Sequence, residues 1–307
     1  MVQQNYKSRT CPSCGEEYSG VLDYKSNPRA ESIPFDKLKP YWNPSFGEKL
    51  FFSYSKCLRC QLLFCPQFFS KKQLEDLHND NMADNTAGVP LDALKKTQKG
   101  YLKFLNKYSF PEGDYLELGP DIGLFAEMCL KFNNLKKFWL FEPNTSVWDQ
   151  LKKSMGEKDY ELSADMFSLD QVGEESISVG ILIHVLDHLI DPLASLKEIK
   201  SKLKPGGILI IVTHDESSLL AKATQNSWPA YAMGHPQLFR PSSMKYLLNS
   251  VGFTVKEVSK SINYFTISHL AKHLFNVLGV PKTYIPDSGK LQIPLKLGNI
   301  ISIATFK

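Results

Sequence analysis

From Asp114 onward the chain alternates between two hydrophobic rhythms. Short apolar runs rich in β-branched and aromatic residues predict strands over 115–118, 138–141, 178–183, 208–212, 253–258 and 299–306. Between the first two, Ile122, Phe125, Ala126, Cys129 and Phe132 recur at helical spacing. That pattern predicts one buried helix face, with Cys129 as a core residue. Asp191 followed by Pro192 reads as an N-cap with proline at the first helical position. Leu193, Leu196, Ile199 and Leu203 form the stripe of that helix, and Pro205-Gly206-Gly207 ends it. Alternating strands and helices predict an α/β fold, a parallel sheet with helices on both faces.

Upstream the rhythm changes. Residues 70–78 read as a helix capped by Ser70, and 79–90, with Gly88 and Pro90, as a polar linker or mobile lid. Helical spacing returns over 91–105, with Leu91, Leu94, Tyr101 and Leu105 on one face. Between the cysteine pairs before residue 70 there are strand-like pieces, notably 50–54. The aromatic residues Tyr18, Tyr24, Phe35, Tyr41, Trp42, Phe46, Phe51 and Phe52 are read as the core of a small domain rather than a base-stacking surface. Residues 267–278 look like a helical insertion whose His269 and His273 lie on a partly exposed face.

A chain of 307 residues corresponds to about two domains. With 43% apolar and 22% charged residues it is neither a disordered chain nor a disulfide scaffold. No apolar run reaches the length of a membrane helix, and the polar N-terminus has no secretory pattern, so a cytoplasmic location is expected. The net charge of +4, against 36 basic and 32 acidic residues, demands no polyanionic partner.

The cysteines change the picture. Five of the six precede residue 66, and four form two CxxC turns, Cys11/Cys14 and Cys57/Cys60. Each turn aims two thiolates at one point, and two turns give a tetrahedral set suited to Zn²⁺. Cys65 competes with Cys60 as a ligand on sequence grounds. Four thiolates leave no open coordination position, so the expected zinc is structural. The predicted organisation is a zinc-ribbon-like module at 1–70, a helical linker or lid at 71–112 and a main domain at 113–307.

The first strand of the main domain ends in Glu117-Leu118-Gly119-Pro120-Asp121-Ile122-Gly123. A glycine turn between strand and helix lets a ligand approach the backbone. The acid precedes the glycines and GxGxxG is absent, which disfavours a pyrophosphate. Glu142 ends the second strand, where a carboxylate suits two ribose hydroxyls. A ligand with ribose, adenine and a cationic amino-acid tail meets these demands.

On Glu117-x-Gly119-x-x-x-Gly123, Glu142, Ala164-Asp165-Met166, His184-Val185-Leu186-Asp187-His188-Leu189-Ile190-Asp191-Pro192 and Leu203-Lys204-Pro205-Gly206-Gly207, the chain resembles the class I S-adenosylmethionine-dependent methyltransferases with a Rossmann-like sheet. The resemblance implies S-adenosylmethionine as cofactor. It implies cofactor contacts from Glu117, Gly119, Pro120, Asp121, Gly123, Glu142, Pro143, Asp165, Met166 and His184. Asp121 stands where that family often has a middle glycine. Cys11-Pro12-Ser13-Cys14-Gly15, Lys56-Cys57-Leu58-Arg59-Cys60 and Pro66 are similar to the zinc-binding methyltransferases of bacterial sugar and polysaccharide biosynthesis, sugar C-methyltransferases among them. Those relatives often carry a further C-terminal domain after the last strand, so the resemblance implies a small or sugar-like acceptor without specifying C-methylation.

Reactive side chains gather after the fourth and fifth strands: His184, Asp187 and His188, then His214 and Asp215, then a segment 216–240 with Trp228, Tyr231, His235 and Phe239. Methyl transfer to a hydroxyl needs a base, and histidine suits that role. His235 is the first candidate, His188 the second, and His184 lies beside them. His184-x-x-Asp187-His188 with His235 also resembles the ligand set of metal-dependent O-methyltransferases, where a divalent ion acidifies the acceptor. A metal-free histidine cluster is the favoured reading. An RNA methyltransferase that grips nucleic acid with its zinc module is the main alternative, disfavoured by the lack of a dense basic stripe. A non-catalytic scaffold is the third.

Overall fold

The computed structural model describes residues 6–42, 50–80, 90–166, 168–268, 270–271 and 291–306. Most of the expected lid, and His269 and His273, lie outside them, as does Phe46.

The main sheet has seven strands: β1 (Gly113–Leu118), β2 (Leu135–Phe141), β3 (Tyr160–Ser163), β4 (Ile177–Ile183), β5 (Leu203–His214), β6 (Thr254–Lys260) and β7 (Asn299–Thr305). Their order is β3-β2-β1-β4-β5-β7-β6. The pairs from β3 to β5 are parallel, and β7 runs antiparallel to both β5 and β6. The strand order reverses between β1 and β4, and in such sheets the crevice at the carboxyl ends there takes the ligand.

Alternation along the strands feeds two cores. Leu116, Leu118, Leu182 and Ile211 point to one face, where α5 (Pro192–Lys202) and α6 (Pro241–Val251) bring Leu196, Ile199, Met244 and Leu247. Tyr115, Val179, Ile181 and Ile210 point to the other, covered by α2 (Leu91–Leu105), α3 (Leu124–Cys129) and α4 (Trp148–Met155). Both faces are dry, which explains the near-continuous apolar runs of β4 and β5. Cys129 sits in the second core as expected.

Four sequence expectations shift. Leu91 opens α2 but is 42% exposed; Ala93, Thr97, Tyr101, Leu102 and Leu105 make its buried face. The strand expected over 50–54 is instead Ser55–Lys56, while Tyr54 makes only an isolated bridge to Tyr24. Strand β3 went unread because its half-buried edge pattern is weak. The Pro205-Gly206-Gly207 stop is absorbed into β5, which starts directly after α5. By contrast, α1 (Lys71–Asp80) is capped as read, with the Gln73 amide donating to Ser70 Oγ at 3.3 Å.

The front segment is joined to the main domain by strand pairing. Ser55–Lys56 and Leu63–Phe64 form an antiparallel pair around the Cys57–Cys60 turn, and Leu63–Phe64 pairs in turn with Gln237–Leu238. Of the aromatic residues read as core, Phe51 and Phe52 are buried, and Tyr24, Phe35, Tyr41 and Trp42 pack half-buried against the same cluster, which Tyr54 and Phe68 complete. No helix among the described residues is long and apolar enough to cross a membrane.

Candidate functional site: a glycine loop between two acids and a histidine cluster

The loop after β1 is built on left-handed backbone. Gly119 has φ +66° and Gly123 φ +80°. A Cβ on Gly119 would stand 2.7 Å from Val185 Cγ2, and one on Gly123 2.6 Å from Leu151 Cδ1. Only glycine fits either place. Asp121 between them also has φ +53°, a region that aspartate tolerates better than most residues. The loop therefore keeps its shape without the middle glycine.

Two buried carboxylates flank this loop. Glu117 is 2% exposed and accepts a 2.6 Å hydrogen bond from the Tyr115 hydroxyl. Burial pushes its carboxyl up to about 8, against the help of that hydroxyl. Glu142 is held by two backbone amides, Asp121 N–H and Asn144 N–H, each at 2.8 Å. Burial raises its pKa while these donors oppose the rise. Trp148 Nε1 donates to the Glu142 carbonyl at 2.9 Å and fixes the β2 end. Pro120 is buried and Pro143 half-buried beside these acids. Asp165 is exposed just past β3, and Met166 is half-buried against the core.

The acids and the left-handed loop fit a cationic, ribose-bearing cofactor. Glu117 would lose its proton beside an ammonium group, and Glu142 would offer its remaining lone pairs to a diol.

Past the ends of β4 and β5 four imidazoles cluster. The ring centroids of His188 and His235 are 4.3 Å apart, those of His214 and His235 4.9 Å, and those of His184 and His214 4.8 Å. Trp228 stands edge-on to His214 at 6.2 Å. Asp187, fully buried, accepts from His214 Nδ1–H at 2.6 Å. Burial opposes its ionisation, but the His214 hydrogen bond and nearby imidazoles outweigh that and hold it well below the usual carboxylate range. Burial pulls His184 down to about 3 and His235 well below the ordinary imidazole value. His188 is the most open of these rings, yet enough protein surrounds it that desolvation lowers its pKa too.

The tautomers follow from the partners. His188 Nδ1–H donates to the Gly234 carbonyl at 2.9 Å, and His235 Nδ1–H to the Ala230 carbonyl at 2.7 Å. Both Nε2 atoms are then bare in the neutral rings, and they face each other at 3.1 Å. Two lone pairs at that distance repel, and one proton placed between them relieves the repulsion.

Of the four sequence candidates for a catalytic metal, His184 and Asp187 converge, and His214 joins them in place of His188 and His235. The compact set is His184, Asp187 and His214, whose ligand atoms lie within 4.8 Å of one another. His188 and His235 turn toward each other instead. His214 and its bond to Asp187 are what sequence reasoning left unassembled; the ends of two adjacent parallel strands were the available signal. Asn299, at the start of β7, also enters, with Nδ2 3.3 Å from His184 Nε2.

In the front segment the sulfurs of Cys11, Cys14, Cys57 and Cys60 lie within 4.8 Å of one another. Cys11 and Cys60, and Cys14 and Cys57, pair at 3.5 Å. Zn–S bonds of about 2.3 Å in a tetrahedron need sulfurs about this far apart, so the donor set fits the metal. Cys65 points elsewhere, with Sγ near the Phe52 and His235 carbonyls, and does not compete.

A family model described as "Methyltransferase domain" matches residues 93–258, more than half of the chain, and the chain belongs to that family. It is an S-adenosylmethionine-dependent methyltransferase with the Rossmann-like sheet of that class. No protein of curated function matches it. Among solved structures, it is similar to a Thermotoga maritima SAM-dependent methyltransferase titled a possible histamine N-methyltransferase. Identity there is 18% and TM-score 0.47, over 70% of this chain and 90% of that one. A putative methyltransferase of Bacillus halodurans has 14% identity and TM-score 0.49, over 66% and 97%. A SAM-dependent methyltransferase of Aquifex aeolicus has 13% identity and TM-score 0.48, over 78% and 100%.

Proposed function

We propose that the protein methylates a hydroxyl of a small, polyhydroxylated, sugar-like acceptor, with the His188–His235 pair as proton acceptor and a structural zinc on Cys11, Cys14, Cys57 and Cys60. The observation that carries this reading is the 3.1 Å approach of two bare Nε2 atoms, one from His188 just past β4 and one from His235 in the segment after β5. Bound S-adenosylmethionine supplies an electrophilic methyl and a thioether leaving group. Glu117 holds the ammonium end, Glu142 the ribose, and the 119–123 loop the methionine part; Pro120, Asp121, Pro143, Asp165, Met166 and His184 complete the cradle.

The methyl so supplied would go to the acceptor oxygen, the sulfur leaving as a thioether, and His235 Nε2 would take the oxygen's proton. His188 Nε2 then accepts a hydrogen bond from the new N–H, so the charge is shared between two rings. Desolvation lowers both pKa values, so both rings are neutral near neutral pH and their Nε2 lone pairs are free to accept a proton. Asp187 stabilises this positive charge and holds His214 in one tautomer, leaving His214 Nε2 to orient the acceptor. Imidazole and indole surfaces suit a neutral polyol better than a polyanion, which supports a small acceptor over RNA. This reading assigns no step to a metal: the histidine pair faces itself, apart from the His184, Asp187 and His214 set.

Screening nucleotide sugars and free sugars for S-adenosylhomocysteine formation tests the class. With an acceptor found, His235→Ala should lower kcat by about 10²- to 10⁴-fold. Cofactor affinity should hold. Undiminished kcat in His235→Ala would remove the histidine pair from the mechanism.

A further inference from the structure

We propose that the four-cysteine module is a metal-dependent strut that sets the His188–His235 pair, so that metal occupancy controls the acceptor half of the site and leaves the cofactor half alone. This deepens the reading that the pair receives the acceptor's proton.

The bonds that carry it run from the two CxxC turns straight to the histidine segment. The Cys57–Cys60 turn closes the hairpin between Ser55–Lys56 and Leu63–Phe64. Both feet of that hairpin bear on the residues around His235. Tyr54, fully buried just before the first strand, donates its hydroxyl to the His235 carbonyl at 2.7 Å. Cys65, just after the second, donates its amide to the Pro236 carbonyl at 2.9 Å. Between the feet, Leu63–Phe64 pairs antiparallel with Gln237–Leu238. The other turn contributes Arg9, two residues before Cys11. Its guanidinium donates to the Pro236 carbonyl at 3.1 Å, to Gln237 Oε1 at 3.1 Å and to the Ile190 carbonyl at 2.9 Å. Ile190 lies two residues beyond His188, so the module reaches both members of the pair.

These contacts form a stiff chain of parts. Arg9 cannot shed its charge, and its partners here are neutral oxygens, so its desolvation is offset only while all three acceptors stay in place. The Pro236 carbonyl takes two of the donors, one from each half of the module. His235 is bound on both sides of its ring, with its own carbonyl on Tyr54 and its Nδ1 on Ala230, and a shift of its backbone separates the two Nε2 atoms. What fixes the hairpin and Arg9 relative to each other is the meeting of their CxxC turns at one point. Four thiols without a metal lose that cross-link, and the ends of the turns become free to part. The residues of the cofactor cradle, from Glu117 on β1 to His184 just past β4, take part in none of these bonds.

The test uses the full-length, zinc-loaded protein with ¹⁵N-labelled histidine. Metal is withdrawn with a thiol-directed reagent plus chelator, its release is counted, and Zn²⁺ is then returned. Amide exchange over 235–238 should rise about 10-fold or more on withdrawal. The ring signals of His188 and His235 should change together, S-adenosylmethionine affinity should move by less than about 3-fold, and Zn²⁺ should reverse all of it. Tyr54→Phe in the loaded protein should shift the His235 ring signal in the same direction with cofactor affinity kept. Unchanged exchange and ring signals after counted metal loss would overturn the proposal. So would cofactor affinity that collapses along with them, because the module would then support the whole fold. If the loaded protein binds no S-adenosylmethionine, the methyl-transfer reading fails by itself, and the exchange comparison still decides the strut.

Discussion

Glu117 shows how much one side chain's surroundings decide. In water its carboxyl would ionise near 4.5, yet burial beside Tyr115 pushes it up to about 8. Between those values the folded protein holds a proton that the unfolded chain has released. This group therefore makes stability fall as pH rises from about 4.5 to about 8. In urea unfolding at pH 5 and pH 8, Glu117→Gln should lose that component of the decline. Equal pH slopes for variant and wild type would contradict the assignment. An ammonium-bearing cofactor favours the carboxylate, so binding near pH 7 should release a proton from Glu117. Calorimetry in two buffers of different ionisation enthalpy reads this as a buffer-dependent heat. Identical heats would mean the carboxyl is already ionised.

At the scale of elements, local signals and their outcomes agree best where chemistry is local. Asp191 caps α5 by accepting from the Ala194 amide at 2.9 Å, with Pro192 next, as the sequence reads. Asp191→Ala should cost about 1 kcal/mol of stability, measured by chemical denaturation. A change near zero would show that tertiary packing alone sets that end. The glycine loop was equally legible, because left-handed backbone at Gly119 and Gly123 admits little else. Elements held by partners far along the chain were not legible. Gln237–Leu238 is a two-residue strand whose partner, Leu63–Phe64, lies in the front segment. Strand β3 closes the sheet edge with three half-buried residues and the exposed Glu161, none of them buried, so its period is blurred. Leu91 fits the helical spacing of α2, but where the helix sits on the sheet leaves it in solvent.

For the molecule as a whole, the front segment is part of one packed body. Cys11, Cys57 and Cys60 belong to the same buried cluster as Leu116 of β1 and Met244 of α6. Metal withdrawal should therefore lower Tm by several degrees, about 2–4 °C per kcal/mol lost for a chain of this size. Differential scanning calorimetry with and without chelator reads this, and an unchanged Tm would mean the thiol cluster contributes no stability.

The sequence by itself determined the strands that flank the crevice, the acid–glycine loop, Glu142 and the two CxxC turns. Each depends on short-range spacing or on backbone conformations open to few residue types. Only the tertiary structure decided which histidines meet. His188, His214 and His235 come from three separate stretches, and their neighbours are set by strand order and by a hairpin from the front of the chain. It also decided what each ring nitrogen does, since carbonyls at Gly234 and Ala230 choose the tautomers. Spacing along a chain carries no record of such contacts, because they exist only once distant segments are packed together.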